Sequence, residues 1–278
     1  MNMRPAICLY AIVAGVLLWP QSAAAQFLSR SLEDPATGER YHIEASAGWW
    51  FPGAYMTLSS AGTGSLAGLI GTTIDAKTDL GLTDQHFPEV HIVARPSKTS
   101  KFRFQYIPIQ YEQTGLPARD IVFNGQRYRA QIPVNSTIDW KAYRLGYEFD
   151  FVSRDRGYGG FILDIKYTDV SATLSTPLTT AEFSRARLPI PALGGIFRVY
   201  PIPNASITGE ITGFKLPDNL IKDTQGHYID VDFYGTLNFT NNFGVQVGYR
   251  SFDVLYSLRS DAGAFVLKGW YFGGVARY

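Results

Sequence analysis

Four histidines, His42, His86, His91 and His227, are the natural places to look for acid–base chemistry, because imidazole titrates near neutral pH. Asp84 stands two residues before His86, and Asp223 stands four before His227. An aspartate beside a histidine is the pairing that activates a nucleophile. Neither pair comes with a G-x-S-x-G context, and the chain has no H-E-x-x-H motif or other paired-histidine spacing. Both pairs therefore read as polar loop residues. His91 alternates with Glu89 and reads as a structural hydrogen-bond partner. On this reading no catalytic residue, no metal and no cofactor is expected.

Charges set at every second position among apolar residues say more. Across residues 228–239, Ile229, Val231, Phe233, Leu237 and Phe239 share one face, while Asp230, Asp232, Tyr234, Thr236 and Asn238 share the other. The same pattern places Arg95, Arg103, Arg144, Lys166, Arg198 and Arg250 opposite apolar neighbours. It does the same for Glu89, Glu148, Asp150, Asp164 and Glu210. In a soluble sandwich the apolar face would point inward. In a closed sheet in lipid it points outward and the polar face lines the lumen. The two signs nearly cancel. An ion-selective pore would carry a field of one sign, whereas balanced charges in a narrow lumen pair with one another, because an unpaired buried ion is costly. A charge-paired plug is the expectation, and a narrow channel that orients a small polar solute is the alternative.

These side chains need strands to hold them. Alternation predicts strands near residues 41–58, 87–96, 100–114, 134–152, 157–175, 183–200, 203–216, 227–240, 242–257 and 261–278. Short connections rich in turn formers, at residues 96–100, 153–156, 201–204 and 240–242, alternate with longer ones at 115–134, 175–182, 217–226 and 257–261. Short turns on one side and long loops on the other are the arrangement of a membrane barrel. The predicted fold class is all-β: a transmembrane up-and-down antiparallel β-barrel of about ten strands. The Gly-rich stretch 59–86 is either one long loop or two extra short strands, so eight or twelve strands stay open.

Composition agrees. Aromatic residues are plentiful, with 17 Tyr and 18 Phe, as girdles at two interfaces require. Residues 1–25 read as a secretory signal peptide, with Arg4, a short apolar core and an Ala23-Ala24-Ala25 cleavage site. Residues 26–278 are then the barrel. The only cysteine, Cys8, falls within the signal, so the exported chain would use no disulfide. Loss of Arg4 with the signal leaves 24 cations against 24 anions, which argues against nucleic acid as a partner.

The chain ends Gly269-Trp-Tyr-Phe-Gly-Gly-Val-Ala-Arg-Tyr278, which resembles the C-terminal assembly signal of bacterial outer-membrane proteins. Gly273, Ala276 and Tyr278 occupy the signal's glycine, hydrophobic and terminal aromatic places. The mature chain as a whole resembles small bacterial outer-membrane β-barrels of the OmpA/OmpW-like kind. That resemblance implies the bacterial outer membrane as location, with lipid and lipopolysaccharide around the barrel. It also implies docking of the last strand on the barrel-assembly machinery. A monomer is expected. The functional expectation is a non-catalytic barrel serving as a structural or loop-mediated binding protein. The alternatives are the narrow solute channel and a barrel enzyme acting on outer-membrane lipid or peptide.

Overall fold

The computed structural model describes residues 36–60, 71–176, 180–182, 186–216, 224–258 and 261–278. The expected signal peptide, Asp223 and parts of the expected long loops lie outside the described residues. In chain order the strands are β1 (Ile43–Ser60), β2 (Ile74–Asp75), β3 (Phe87–Ala94), β4 (Ser100–Gly115), β5 (Ile121–Phe123), β6 (Gln126–Tyr128) and β7 (Val134–Arg154). They continue as β8 (Gly157–Ser175), β9 (Thr180–Glu182), β10 (Ala186–Ile202), β11 (Ala205–Lys215), β12 (Thr224–Asn238), β13 (Phe243–Leu258) and β14 (Asp261–Arg277).

Among the described residues, ten of these close into one antiparallel barrel: β1, β3, β4, β7, β8 and β10 to β14, each paired with the next. The ring shuts where β14 runs back along β1, from Glu44 opposite Arg277 to Ser60 opposite Asp261. The stretch 59–86 adds no wall strand among the described residues; it holds the end of β1 and the two-residue β2, which pairs with β1. β9 pairs with the end of β8.

The outward faces explain why a closed sheet forms. On β7, Tyr143, Leu145, Tyr147, Phe149 and Phe151 point out, while Arg144, Gly146, Glu148 and Asp150 point in. On β8, Phe161, Leu163, Ile165 and Tyr167 point out, against Asp164 and Lys166 inside. Large apolar side chains this exposed, such as Phe161 at 63% and Leu193 at 70%, are satisfied by lipid and not by water. From Tyr143 to Phe151 the chain advances eight residues, about 27 Å along the strand and about 20 Å along the axis of a barrel with the usual tilt. That matches the apolar belt of a membrane barrel.

The sequence reading placed a polar lumen along the whole barrel, and here the structure differs. At the end of the belt away from the short turns, the inward positions of β4 and β7 keep their parity but change from polar to apolar. On β4 the inward side chains run Lys101, Arg103 and Gln105, then Ile107, Ile109 and Tyr111. The outward ones run Phe102, Phe104 and Tyr106, then Gln110 and Glu112. On β7, Ile138 and Trp140 point inward, while Asp139 and Lys141 lie on the other face. The change falls just past a row of register partners, Tyr106, Tyr143 and Tyr167, with Tyr106 and Tyr143 stacked at 4.7 Å. These rings mark the interface. Beyond it the wall stands in water, so its interior takes the apolar composition of a soluble core.

The connections fold into that core. β5 and β6 form a hairpin across Asn124-Gly125, both with positive φ (46° and 76°), the geometry of a two-residue turn of the primed type. Residues 115–134, expected as a loop, hold this hairpin. Ile121, Phe123 and Tyr128 of the hairpin are at most 1% exposed, and Tyr128 donates a 2.8 Å hydrogen bond to the Leu174 carbonyl. Residues 71–86 cover the wall where β3 is too short to bridge β1 and β4. Ala76 N–H bonds the Met56 carbonyl at 3.0 Å, and Ala54 N–H bonds the Asp84 carboxylate at 2.9 Å.

Candidate functional site

The lumen is the part of the molecule where polar side chains converge, and it is filled in three layers. The middle layer is ionic. Lys101 contacts Glu148 (2.6 Å) and Asp150 (2.9 Å), and Arg103 spans from Glu148 (2.8 Å) to Glu210 (2.5 Å). Arg144 holds Asp164 at 2.6 Å and also pairs with Glu210. Lys166 donates to Asp230 at 2.7 Å. Arg250 reaches Glu89 (2.9 Å), Gln105 (2.7 Å) and Asp230 (3.1 Å). These groups come from opposite walls: Arg103 and Glu210 sit on β4 and β11, which are not neighbours in the ring.

Two glycines make room for this. A Cβ on Gly146 would collide with the Asp164 carboxylate, and one on Gly160 would stand 2.6 Å from an Asp150 oxygen. The small residue on one strand is the space in which the neighbour's charge sits.

The second layer closes the mouth on the short-turn side, and the chain segment before β1 builds it. Thr37 N–H bonds the Pro203 carbonyl (2.8 Å), and Asn238 bonds the Thr37 carbonyl (2.7 Å). Glu39 is thereby carried beneath the lumen, where it meets Arg95 at 2.9 Å and Arg198 at 3.4 Å and accepts a hydrogen bond from the Tyr200 hydroxyl. Burial would raise the Glu39 carboxyl, but Arg198 and Arg95 hold it below the usual carboxylate range. Arg198 also donates to Thr208 (2.9 Å) and Tyr234 (3.1 Å). Nearby, Arg277 bonds Glu44 at 2.5 Å and Asn238 at 2.6 Å.

The third layer is the apolar cap described above, with Trp50, Trp140, Phe252 and Phe265 in edge or tilted contact at 5.1–6.3 Å. Its two inserted connections are locked together. Arg119 grips Asp79 through two hydrogen bonds (2.7 and 3.1 Å) and also the Thr73 carbonyl (2.7 Å). Those hydrogen bonds hold the Asp79 carboxyl below its usual value.

Every residue singled out for the lumen, from Glu89 and Arg95 through Arg103, Arg144, Glu148, Asp150, Asp164, Lys166, Arg198, Glu210 and Asp230 to Arg250, faces inward and meets a partner of opposite charge. Asp232 also faces inward, but its partner is the Tyr271 hydroxyl at 2.9 Å. The sequence reading missed Lys101, Glu39, Glu44 and Arg277. Lys101 and Arg277 carry the same alternating signal. Glu39 precedes the first strand, so no periodicity marks it. The Asn124-Gly125 pair was a legible hairpin signal.

The Asp84–His86 pair is dispersed, and Asp223 of the other pair lies outside the described residues. Asp84 is held by Lys77 at 2.7 Å and by the Ala54 N–H, while the His86 ring lies against Trp49 and Phe51 in the aromatic girdle. His227 contacts Asp253 at 3.1 Å, both partly exposed on the outer surface of the rising wall. His91 faces the lumen with its Nε2 unbonded among the described residues, not as the hydrogen-bond partner expected of it. At the assembly signal, Gly273 and Ala276 lie on the closing strand and the Tyr278 ring is 87% exposed. The Tyr278 backbone accepts from His42 (2.7 Å) and Ile43 (2.9 Å) and donates to Ile43 (2.9 Å).

No family model and no curated protein sequence matches this chain. Among solved structures, the outer membrane protease OmpT of Escherichia coli superposes with a TM-score of 0.57 at 9% identity, covering 88% of this chain and 99% of that one. The translocator domain of the autotransporter NalP from Neisseria meningitidis gives 0.37 at 9% identity, covering 98% of each chain. Ail, the attachment invasion locus protein of Yersinia pestis, gives 0.36 at 8% identity, over 85% of this chain and 99% of that one. The likeness to OmpT is one of fold. The chain is a β-barrel of the bacterial outer-membrane type.

Proposed function

We propose that this protein is a non-conducting, non-catalytic integral barrel of the bacterial outer membrane. It stiffens that membrane and presents a rigid extracellular rim for loop-mediated binding. The observation that carries this reading is the filled lumen. Ion pairs, apolar cap and the Glu39 segment occupy it in series. Among the described residues, voids between them measure about 10 Å³ beside Arg144, Lys166 and Asp230, and about 20 Å³ beside Glu89 and Tyr271. A space of that size holds about one water and not a column. The rising walls, polar outside and packed inside, support the rim. Lipopolysaccharide around the belt, a monomeric state and docking of β14 on the assembly machinery belong to the same proposal. The short turns then face the periplasm.

Planar-bilayer recording of the purified protein tests the reading. Little steady conductance is expected, and stable open single-channel steps would promote the solute channel instead. The catalytic alternative has the His227–Asp253 contact as its main candidate among the described residues, and that pair lies on an outward face. Fold likeness to a protease supplies no site. Unchanged lipid A mass spectra with and without the gene are expected.

A further inference from the structure

The neutrality of the interior breaks down at the short-turn mouth. Below the Glu39 segment lies an open cavity of about 730 Å³. Its floor includes the buried rings of Tyr41, Tyr158 and Tyr200. Arg95 belongs to the floor too, but Glu39 already neutralises it. The walls carry Arg40, Lys98 and Arg154, all exposed, and none of the three has a carboxylate partner among the described residues. Asp155 is the single unpaired carboxylate on the lining among the described residues, so three cations less one anion leave an excess of two positive charges. The contrast with the lumen, where each of Lys101, Arg103, Arg144, Lys166 and Arg250 meets a carboxylate, is what gives the cavity meaning.

We propose that this vestibule binds a small organic polyanion bearing two or more carboxylates, as an acidic peptide does. Two guanidinium groups and an ammonium group offer forked and point contacts to carboxylates. The volume lies within the range of organic-ligand pockets and is many times what an inorganic anion fills. The tyrosine floor offers flat apolar area to the peptide planes between the charges. The site belongs to this mouth of the barrel; that the mouth faces the periplasm rests on the orientation given above.

The test is calorimetric titration of the full folded barrel in detergent micelles with tetraglutamate at low ionic strength. Tetralysine and inorganic phosphate are the comparison titrants. Saturable tetraglutamate binding is expected, weakened about tenfold by Arg40→Ala, Lys98→Ala and Arg154→Ala together, as three exposed ion pairs allow. Unchanged heat-modifiable gel mobility reports that the triple variant is folded, and Lys98→Glu alone gives an independent loss of affinity. Absence of saturable binding by the wild type would overturn the proposal. So would equal affinity in both variants, or displacement by phosphate at equal concentration.

Discussion

Replacing Arg250 with Ala removes the most connected cation of the lumen. Its side chain is fully buried and makes four polar contacts, two to Asp230 (3.1 and 3.2 Å), one to Glu89 (2.9 Å) and one to Gln105 (2.7 Å). Its guanidinium also lies 4.4 Å from the centre of the Phe252 ring. After the substitution Asp230 keeps Lys166 at 2.7 Å, but Glu89 keeps only the neutral Gln105 amide at 2.7 Å. The orphaned charge is therefore Glu89. Removing one partner of a buried pair costs about 3–5 kcal/mol. The upper part of that range applies because the guanidinium leaves a space walled by other side chains. Taking the orphan away as well should recover part of the loss, so Arg250→Met with Glu89→Gln should be less destabilised than Arg250→Ala. The assay is reversible urea unfolding in phospholipid vesicles, followed by tryptophan fluorescence. Arg129→Ala, at an exposed position beyond the inserted hairpin, serves as reference and should stay within about 0.5 kcal/mol of wild type. If Arg250→Ala loses no more than Arg129→Ala, the ion network contributes nothing and the reasoning fails.

Phe233 and Val247 are each 54% exposed on the outward face, so an arginine at either should cost roughly 2–4 kcal/mol if the position lies at mid-membrane; no loss at both in the same vesicle assay would mean the faces are inverted. Deleting Tyr278 removes three backbone hydrogen bonds at the seam of β1 and β14, and the heat-modifiable, membrane-inserted fraction should fall; normal amounts of folded barrel would count against its role in closure. The Asp79 carboxyl lies below its usual value because of Arg119, so the lock between the two inserted connections is complete above the ordinary aspartate range, about pH 4, and is lost as pH falls through the lowered value. Limited proteolysis should show residues 115–134 becoming cleavable in acid in the wild type, and already cleavable at neutral pH in Asp79→Asn. Identical cleavage profiles would dismiss the lock.

The wall of this barrel was legible residue by residue. A side-chain period of two, imposed by lipid on one side and packed polar groups on the other, places Phe233 outward and Asp232 inward with no further information. The same alternation marks the ends of nearly all ten strands to within a few residues. Alternation is a local property of the strand, and that is why the sequence carries it. What lies inside the wall was not legible. The alternation of Ile107, Ile109 and Tyr111 with Gln110 and Glu112 is as clear as that of Phe102 and Phe104 with Arg103. Parity with Arg103 puts the apolar set inward, but the level at which the inward face changes from charged to apolar depends on where the membrane ends, and the assembled row of Tyr106, Tyr143 and Tyr167 locates it. Ion pairing has the same limit. The sequence placed Arg103 and Glu210 on inward faces, but that they touch across the lumen at 2.5 Å follows from the order and stagger of ten strands around a closed ring. The Glu39 segment is further from reach, because a chain with no periodicity takes its place only from the mouth that receives it.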